Sequence, residues 1–185
     1  MTYDFEENGS VFYPPDRKGK GKNGSSGCKR VIFPGSYDPI TLGHLELIER
    51  GAAKYSEVYV VAFINPDKKY MFSESERTEM MRLCCAHLKN VTVDFYFGRV
   101  VDYMSEHGIE KIIKGYRNIS DLMYEMPQAE YNFKNGGVET EFYCASDGFS
   151  LVSSTLARDK IKKGEDLSGI LSHTVIDYLR EKKYV

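Results

Sequence analysis

The string Pro34-Gly35-Ser36-Tyr37-Asp38-Pro39-Ile40-Thr41-Leu42-Gly43-His44 follows the apolar run Val31-Ile32-Phe33 and leads into a stretch with helical spacing. Small residues at such a turn let a ligand approach the backbone. Gly43 and His44 open the helix, where free N–H groups and the helix dipole favour an anion and an imidazole can donate to a phosphate. Alone, a Gly-His pair is a tight turn with a surface histidine; within the whole string the phosphate reading is the stronger. A second string, Phe149-Ser150-Leu151-Val152-Ser153-Ser154-Thr155-Leu156-Ala157-Arg158, places consecutive hydroxyls at a helix start. Hydroxyls there cap N–H groups and can turn toward phosphate oxygens. Two more strings supply cations. One runs from Asn65 through Lys68 and Lys69 to Arg77, the other from Ile113 through Lys114 and Arg117 to Glu125. Taken singly these are solvated surface charges.

Four strings so far apart in the chain need a scaffold that gathers them. Residues 29–33 read as a buried strand, and 43–55 as a helix with Leu45, Ile48 and Ala52 on one face. Residues 57–64 form a strand rich in β-branched and aromatic side chains. Ser73, with Glu76 three residues on, is a capping box for a helix to about His87. Residues 91–95 are a third strand. A helix over about 99–107 stops at Gly108. Residues 111–113 are a fourth strand, 121–132 a helix, 135–137 a turn and 138–144 a fifth strand. Helices near 154–163 and 173–183 close the chain. The alternation predicts an α/β, Rossmann-like fold: a parallel five-stranded sheet with helices on both faces and C-terminal helices. Ligands of such sheets sit beyond the carboxyl ends of the strands at the switch point. All four strings fall in loops that follow strands.

Residues 1–28 carry a Gly-, Lys- and Ser-rich stretch with little to bury, which reads as a flexible tail or linker. Residues 29–185 suit one domain. A net charge of -2 argues against nucleic acid as a partner, although a basic contact role for the tail is an alternative. Cys28, Cys84, Cys85 and Cys144 show no metal-ligand spacing and read as reduced thiols of a cytoplasmic protein. No apolar run approaches the roughly 20 residues that span a membrane.

Together the strings resemble the signatures of the nucleotidyltransferase superfamily. Thr41-Leu42-Gly43-His44 is similar to its (H/T)xGH motif, in the threonine form typical of bacterial phosphopantetheine adenylyltransferases. Residues 149–158 resemble the ISSTxxR signature. Residues 65–77 resemble the loop xPxKKxxFxxxER, and the Lys114–Glu125 region resembles RGxRxxxDxxYE. Lys114 stands where the family usually has arginine, and a lysine cannot fork onto a phosphate. Pro127 falls where the family's helix continues, and proline removes a helix hydrogen bond.

The resemblance covers about residues 30–183. It implies the nucleotidyltransferase fold and transfer of the adenylyl group of ATP to 4′-phosphopantetheine, giving 3′-dephospho-coenzyme A and pyrophosphate. On that basis Ser36 contacts both substrates. Tyr37, His44, Gly115, Tyr116, Arg117 and Glu125 belong to the ATP side, with Phe149, Ser150, Leu151, Val152, Ser153, Ser154 and Thr155. Lys68, Val100 and Lys114 belong to the pantetheine side, and His44, Lys68 and Arg117 carry the catalysis. The resemblance also implies Mg²⁺ carried on the ATP phosphates rather than in a protein cage, and a homohexamer; the net charge and the lack of a long apolar run point to no nucleic-acid or membrane partner. Two alternatives stand beside it. One is another small-molecule nucleotidyltransferase of the superfamily; the other is a non-catalytic nucleotide-binding regulator, with Lys114 and Pro127 marking a decayed site.

Overall fold

In the computed structural model, which describes residues 10–12, 29–64 and 68–185, strands and helices alternate. They are β1 (Ser10–Phe12), β2 (Arg30–Gly35), α1 (Leu42–Lys54), β3 (Glu57–Phe63), α2 (Glu74–Cys85), β4 (Val91–Tyr96) and α3 (Val100–His107). Then follow β5 (Lys111–Tyr116), α4 (Ile119–Gly136), β6 (Glu139–Cys144), a 3-10 turn (Asp147–Phe149), α5 (Ser154–Lys163) and α6 (His173–Glu181). The strands form one sheet in the order β1-β6-β5-β2-β3-β4. β2 to β6 are mutually parallel, as the alternation predicts.

The sheet also has a sixth strand. β1 pairs antiparallel with β6, Ser10 opposite Tyr143, from within the segment read as a tail. Three residues are too few to show an alternating pattern, and an edge strand needs only a free backbone edge to pair with. The rest of residues 1–28, and Asn65, Pro66 and Asp67, lie outside the described residues.

Both faces of the sheet are covered, as a parallel sheet requires. On one face α1, α2, α5 and α6 bury Ile48, Met80, Met81, Ile161, Val175 and Leu179 against Val31, Val58 and Val60. On the other, Tyr103 and Met104 of α3 pack on Ile32, Val61 and Ile112, and Ala129 of α4 packs with Phe142. Gly51 lets α1 lie close to β2: a Cβ there would meet the Phe33 ring at 2.6 Å.

From β2 the chain runs outward to β3 and β4, then returns to β5 on the opposite side of β2. That reversal is the switch point. β2 and β3 pair as far as Gly35 and Ala62, and β5 and β6 as far as Tyr116 and Cys144. β2 and β5 pair only at Val31–Lys111 and Ile32–Ile112. Beyond that the two central strands separate, and a crevice opens between their carboxyl ends.

Pro127 does not end α4, which runs unbroken to Gly136 and is capped by Asn118 at its start and by Gly137 in the left-handed conformation at φ 66°. The expected turn at 135–137 is therefore the last helical residues and this cap. Pro127 and Met123, four residues before it, are both exposed, so the carbonyl that loses its partner faces water.

Candidate active site

The crevice is a cavity of about 750 Å³. Ser36, Tyr37, His44, Lys68, Val100, Lys114, Gly115, Tyr116, Arg117, Glu125, Phe149, Val152 and Ser153 all line it. Four expected site residues do not: Ser150, Leu151, Ser154 and Thr155.

His44 is held by the start of its own helix. Thr41 is the N-cap of α1 and, with His44 at the third helical position, forms a reciprocal capping box. The Thr41 backbone N–H donates to His44 Nδ1 at 3.1 Å, and the Thr41 hydroxyl lies 2.8 Å from the same nitrogen. A backbone N–H can only donate, so Nδ1 is the acceptor and the ring's proton sits on Nε2. The Tyr37 ring meets the imidazole edge-on, with centroids 5.2 Å apart. Burial, helped by the Arg117 guanidinium, lowers the His44 pKa to about 4. His44 is thus a neutral Nε2–H donor near pH 7, and Nε2 has no partner among the described residues. The structural and phosphate-donor readings of this histidine are not alternatives: Nδ1 caps the helix and Nε2 is left for a ligand.

Tyr37 supports His44 rather than donating to a ligand. Its hydroxyl donates to the Phe33 carbonyl at 2.8 Å, and burial pushes its pKa up. Its backbone sits at φ 48°, the left-handed region that tyrosine rarely adopts.

Lys114 of β5 and Arg117 just beyond it are met by carboxylates of α4. Lys114 Nζ lies 3.3 Å from Glu125 Oε2. Arg117 donates to both Asp121 oxygens, through Nε at 2.7 Å and Nη2 at 3.2 Å. Between them Gly115 permits close approach to α1, because a Cβ there would lie 2.2 Å from Leu47 Cδ1.

Asp38 joins three of the strings. Its carboxylate is buried, 3% exposed, and accepts from the N–H groups of Met71 and Phe72, each at 3.0 Å at its nearer oxygen. This ties the Lys68 loop to the β2–α1 loop. Arg158 donates to the Asp38 carbonyl at 2.6 Å and approaches its carboxylate at 3.5 Å. The hydroxyl string is turned largely to the same purpose. Ser154 donates to the Pro39 carbonyl at 2.8 Å, Thr155 accepts from Arg158 at 3.2 Å, and Ser153 caps α5 through the Leu156 N–H at 3.1 Å. Ser150 donates to the Asp147 carbonyl at 3.3 Å, and Leu151 is 83% exposed.

One wall of the cavity was not foreseen from the sequence. Tyr124, Gln128 and Tyr131 line it from α4 at helical spacing, next to Glu125 and Asn132. Their three- and four-residue intervals beside the Lys114–Glu125 string were the readable cue. Among the described residues no group of three His, Cys, Asp or Glu side chains is placed to hold a metal ion.

A cytidylyltransferase-like family model matches residues 32–160. The phosphopantetheine adenylyltransferase of Corynebacterium efficiens is 42% identical over 154 residues, 83% of this chain and 97% of that protein. Its counterpart in Corynebacterium diphtheriae is 40% identical over 155 residues, 83% of this chain and 98% of that protein. A crystal structure from Vibrio parahaemolyticus, assigned as a nicotinate-nucleotide adenylyltransferase, superposes with a TM-score of 0.64 at 17% identity. It covers 85% of this chain and 94% of its own, a likeness of fold.

Proposed function

Because this chain belongs to the phosphopantetheine adenylyltransferase family, within the cytidylyltransferase-like proteins, we propose that its crevice transfers the adenylyl group of ATP to 4′-phosphopantetheine. The products are 3′-dephospho-coenzyme A and pyrophosphate. One observation carries the reading. Ser36, His44, Lys68, Lys114 and Arg117 come from three separate strand-to-helix segments and line one cavity at the switch point of the sheet.

A phosphate monoester oxygen of 4′-phosphopantetheine attacks the α-phosphorus of ATP in line, and the bond to the pyrophosphate oxygen breaks. The nucleophile is already an anion, so the protein need only align the two substrates and stabilise the charge that shifts as pyrophosphate departs. Lys68 and Lys114 hold the nucleophile's phosphate. His44 donates from Nε2 to the transferring phosphoryl group, and Arg117, with the Gly115–Tyr116 backbone, holds the nucleotide. Ser36 faces both substrates, and Val100 flanks the pantetheine arm. For Lys114 and Arg117 to reach phosphate, the Glu125 and Asp121 pairings must loosen or be shared.

Mg²⁺ would be carried on the ATP phosphates, where it would neutralise charge, the nearby carboxylates being already paired with Lys114 and Arg117. The same reading carries a cytoplasmic homo-oligomer, a hexamer by family resemblance. Ile119 and Met123 on α4, 77% and 61% exposed, offer an apolar face for such contacts. No described helix is long and apolar enough to cross a membrane. Incubation with ATP and 4′-phosphopantetheine, followed by mass spectrometry, tests the reading: 3′-dephospho-coenzyme A is expected, and its absence with folded protein would refute it.

A further inference from the structure

Arg77 of α2 is the largest fully buried side chain among the described residues, 1% exposed. Among the described residues no carboxylate lies within ion-pair distance of it, and its Nε has no hydrogen-bond partner. A buried guanidinium without a counter-charge is costly, and a leucine or methionine would fill the space without that cost. What the charge and its planar shape secure is therefore the question.

Two contacts answer it. Nη1 donates to the Ser36 carbonyl at 2.8 Å. The guanidinium face lies over the Tyr70 ring, 4.0 Å from its centroid, with Phe95 at 5.3 Å. Ser36 is the first residue beyond β2, on the loop that leads to His44. Tyr70 stands two residues past Lys68, on the loop after β3. One rigid group thus holds two of the loops that reach the cavity, donating in its plane to one and stacking its face on the other. A lysine, as a point charge on a flexible stem, cannot do both.

We propose that Arg77 is a positioning residue for adenylyl transfer: it sets the separation between Ser36 and Lys68 to match two adjoining phosphate groups. The inference rests on the function proposed above. The restraint from Asp38 onto Met71 and Phe72 fixes the far end of the Lys68 loop, and Arg77 fixes its middle. Arg77 touches no substrate; it acts through Ser36 and Tyr70.

The test is a double-mutant cycle on the full chain, with the melting temperature recorded for every variant. Arg77→Lys is expected to lower kcat/KM for 4′-phosphopantetheine by about 10²-fold, the scale of a 1 Å misplacement. In a Ser36→Ala, Lys68→Ala background the same change is expected to cost only a few-fold, because the two side chains whose separation it sets are gone while the residue-36 carbonyl still accepts from it. Equal losses in both backgrounds, or near-wild-type turnover of Arg77→Lys, would overturn the proposal. Should Arg77→Lys not fold, Tyr70→Leu removes the stacking face and keeps the guanidinium. It is expected to raise KM for 4′-phosphopantetheine roughly tenfold, and an unchanged KM would overturn the proposal. A wild-type protein without transfer activity would instead refute the function, so the two failures are distinguishable.

Discussion

The Thr41 backbone N–H meets Nδ1 of His44 at 3.1 Å, inside the capping box that starts α1. One local contact thereby sets both the fold of the turn and the tautomer of the imidazole. The side chain with the strongest claim to the chemistry is oriented by the helix start it caps, not by a distant partner.

The first consequence concerns protonation. In the free protein His44 should titrate near pH 4, not at the ordinary value near 6.5, and should carry its proton on Nε2 at neutral pH. Nitrogen-15 imidazole shifts measure both. The sign for stability follows from a lowered folded-state value: between about pH 4 and 6.5 the unfolded chain binds the proton and the folded one does not. His44 therefore contributes stability that is fully present above 6.5 and lost as pH falls toward 4. A midpoint near 6.5, or an Nδ1–H ring, would contradict the assigned geometry.

His44→Gln separates the two roles of this residue. Glutamine is a good capping-box partner at the third helical position, so the melting temperature should stay close to wild type. The imidazole donor is lost, and kcat should fall by about 10²–10³ with KM for ATP little changed. Near-normal turnover in folded His44→Gln would show that the histidine serves only the cap.

Lys114 is expected to act on the nucleophile's phosphate. Lys114→Ala removes a charge-assisted contact of about 1.5–3 kcal/mol, and KM for 4′-phosphopantetheine should rise roughly 10- to 100-fold while KM for ATP moves far less. Lys114→Arg should be tolerated or bind better, since a guanidinium can fork onto phosphate. Steady-state kinetics with each substrate varied in turn decides it, and equal effects on both would count against the assignment.

Asp38 is expected to matter for stability. Asp38→Ala leaves the Met71 and Phe72 N–H groups without their acceptor and Arg158 without its carboxylate. The loss should be about 3 kcal/mol, or roughly 6–12 °C in Tm for a chain of this size. Asp38→Asn, which keeps one acceptor oxygen, should lose less. Thermal melts that leave Asp38→Ala within a degree of wild type would show that the loops are tied elsewhere.

The regular elements were largely legible because their cues are local. α5 spans Ser154–Lys163 as read, and the Ser73–Glu76 capping box starts α2 as its residue types require. The phosphate strings were legible for a related reason: glycine, hydroxyl and cation spacing in loops after strands points to the carboxyl end of a sheet. What was not legible depends on contacts across the fold. β1 exists only through pairing with β6. α4 passes Pro127 because its caps and the burial of Ala129 on Phe142 outlast one lost hydrogen bond on the wet face. Ser154 and Thr155 read as phosphate ligands by type, yet their hydroxyls tie Pro39 and Arg158, a pairing more than a hundred residues apart for Ser154.

The most direct measurement is pyrophosphate release by the purified wild-type protein with ATP and magnesium, comparing 4′-phosphopantetheine, nicotinamide mononucleotide and glycerol 3-phosphate as acceptors. Convergence of Lys68, Lys114, His44 and Arg117 on one crevice predicts rapid release with 4′-phosphopantetheine and little above background with the other two. Faster release with either of the others, or ATP binding without pyrophosphate release from any of the three, would contradict it.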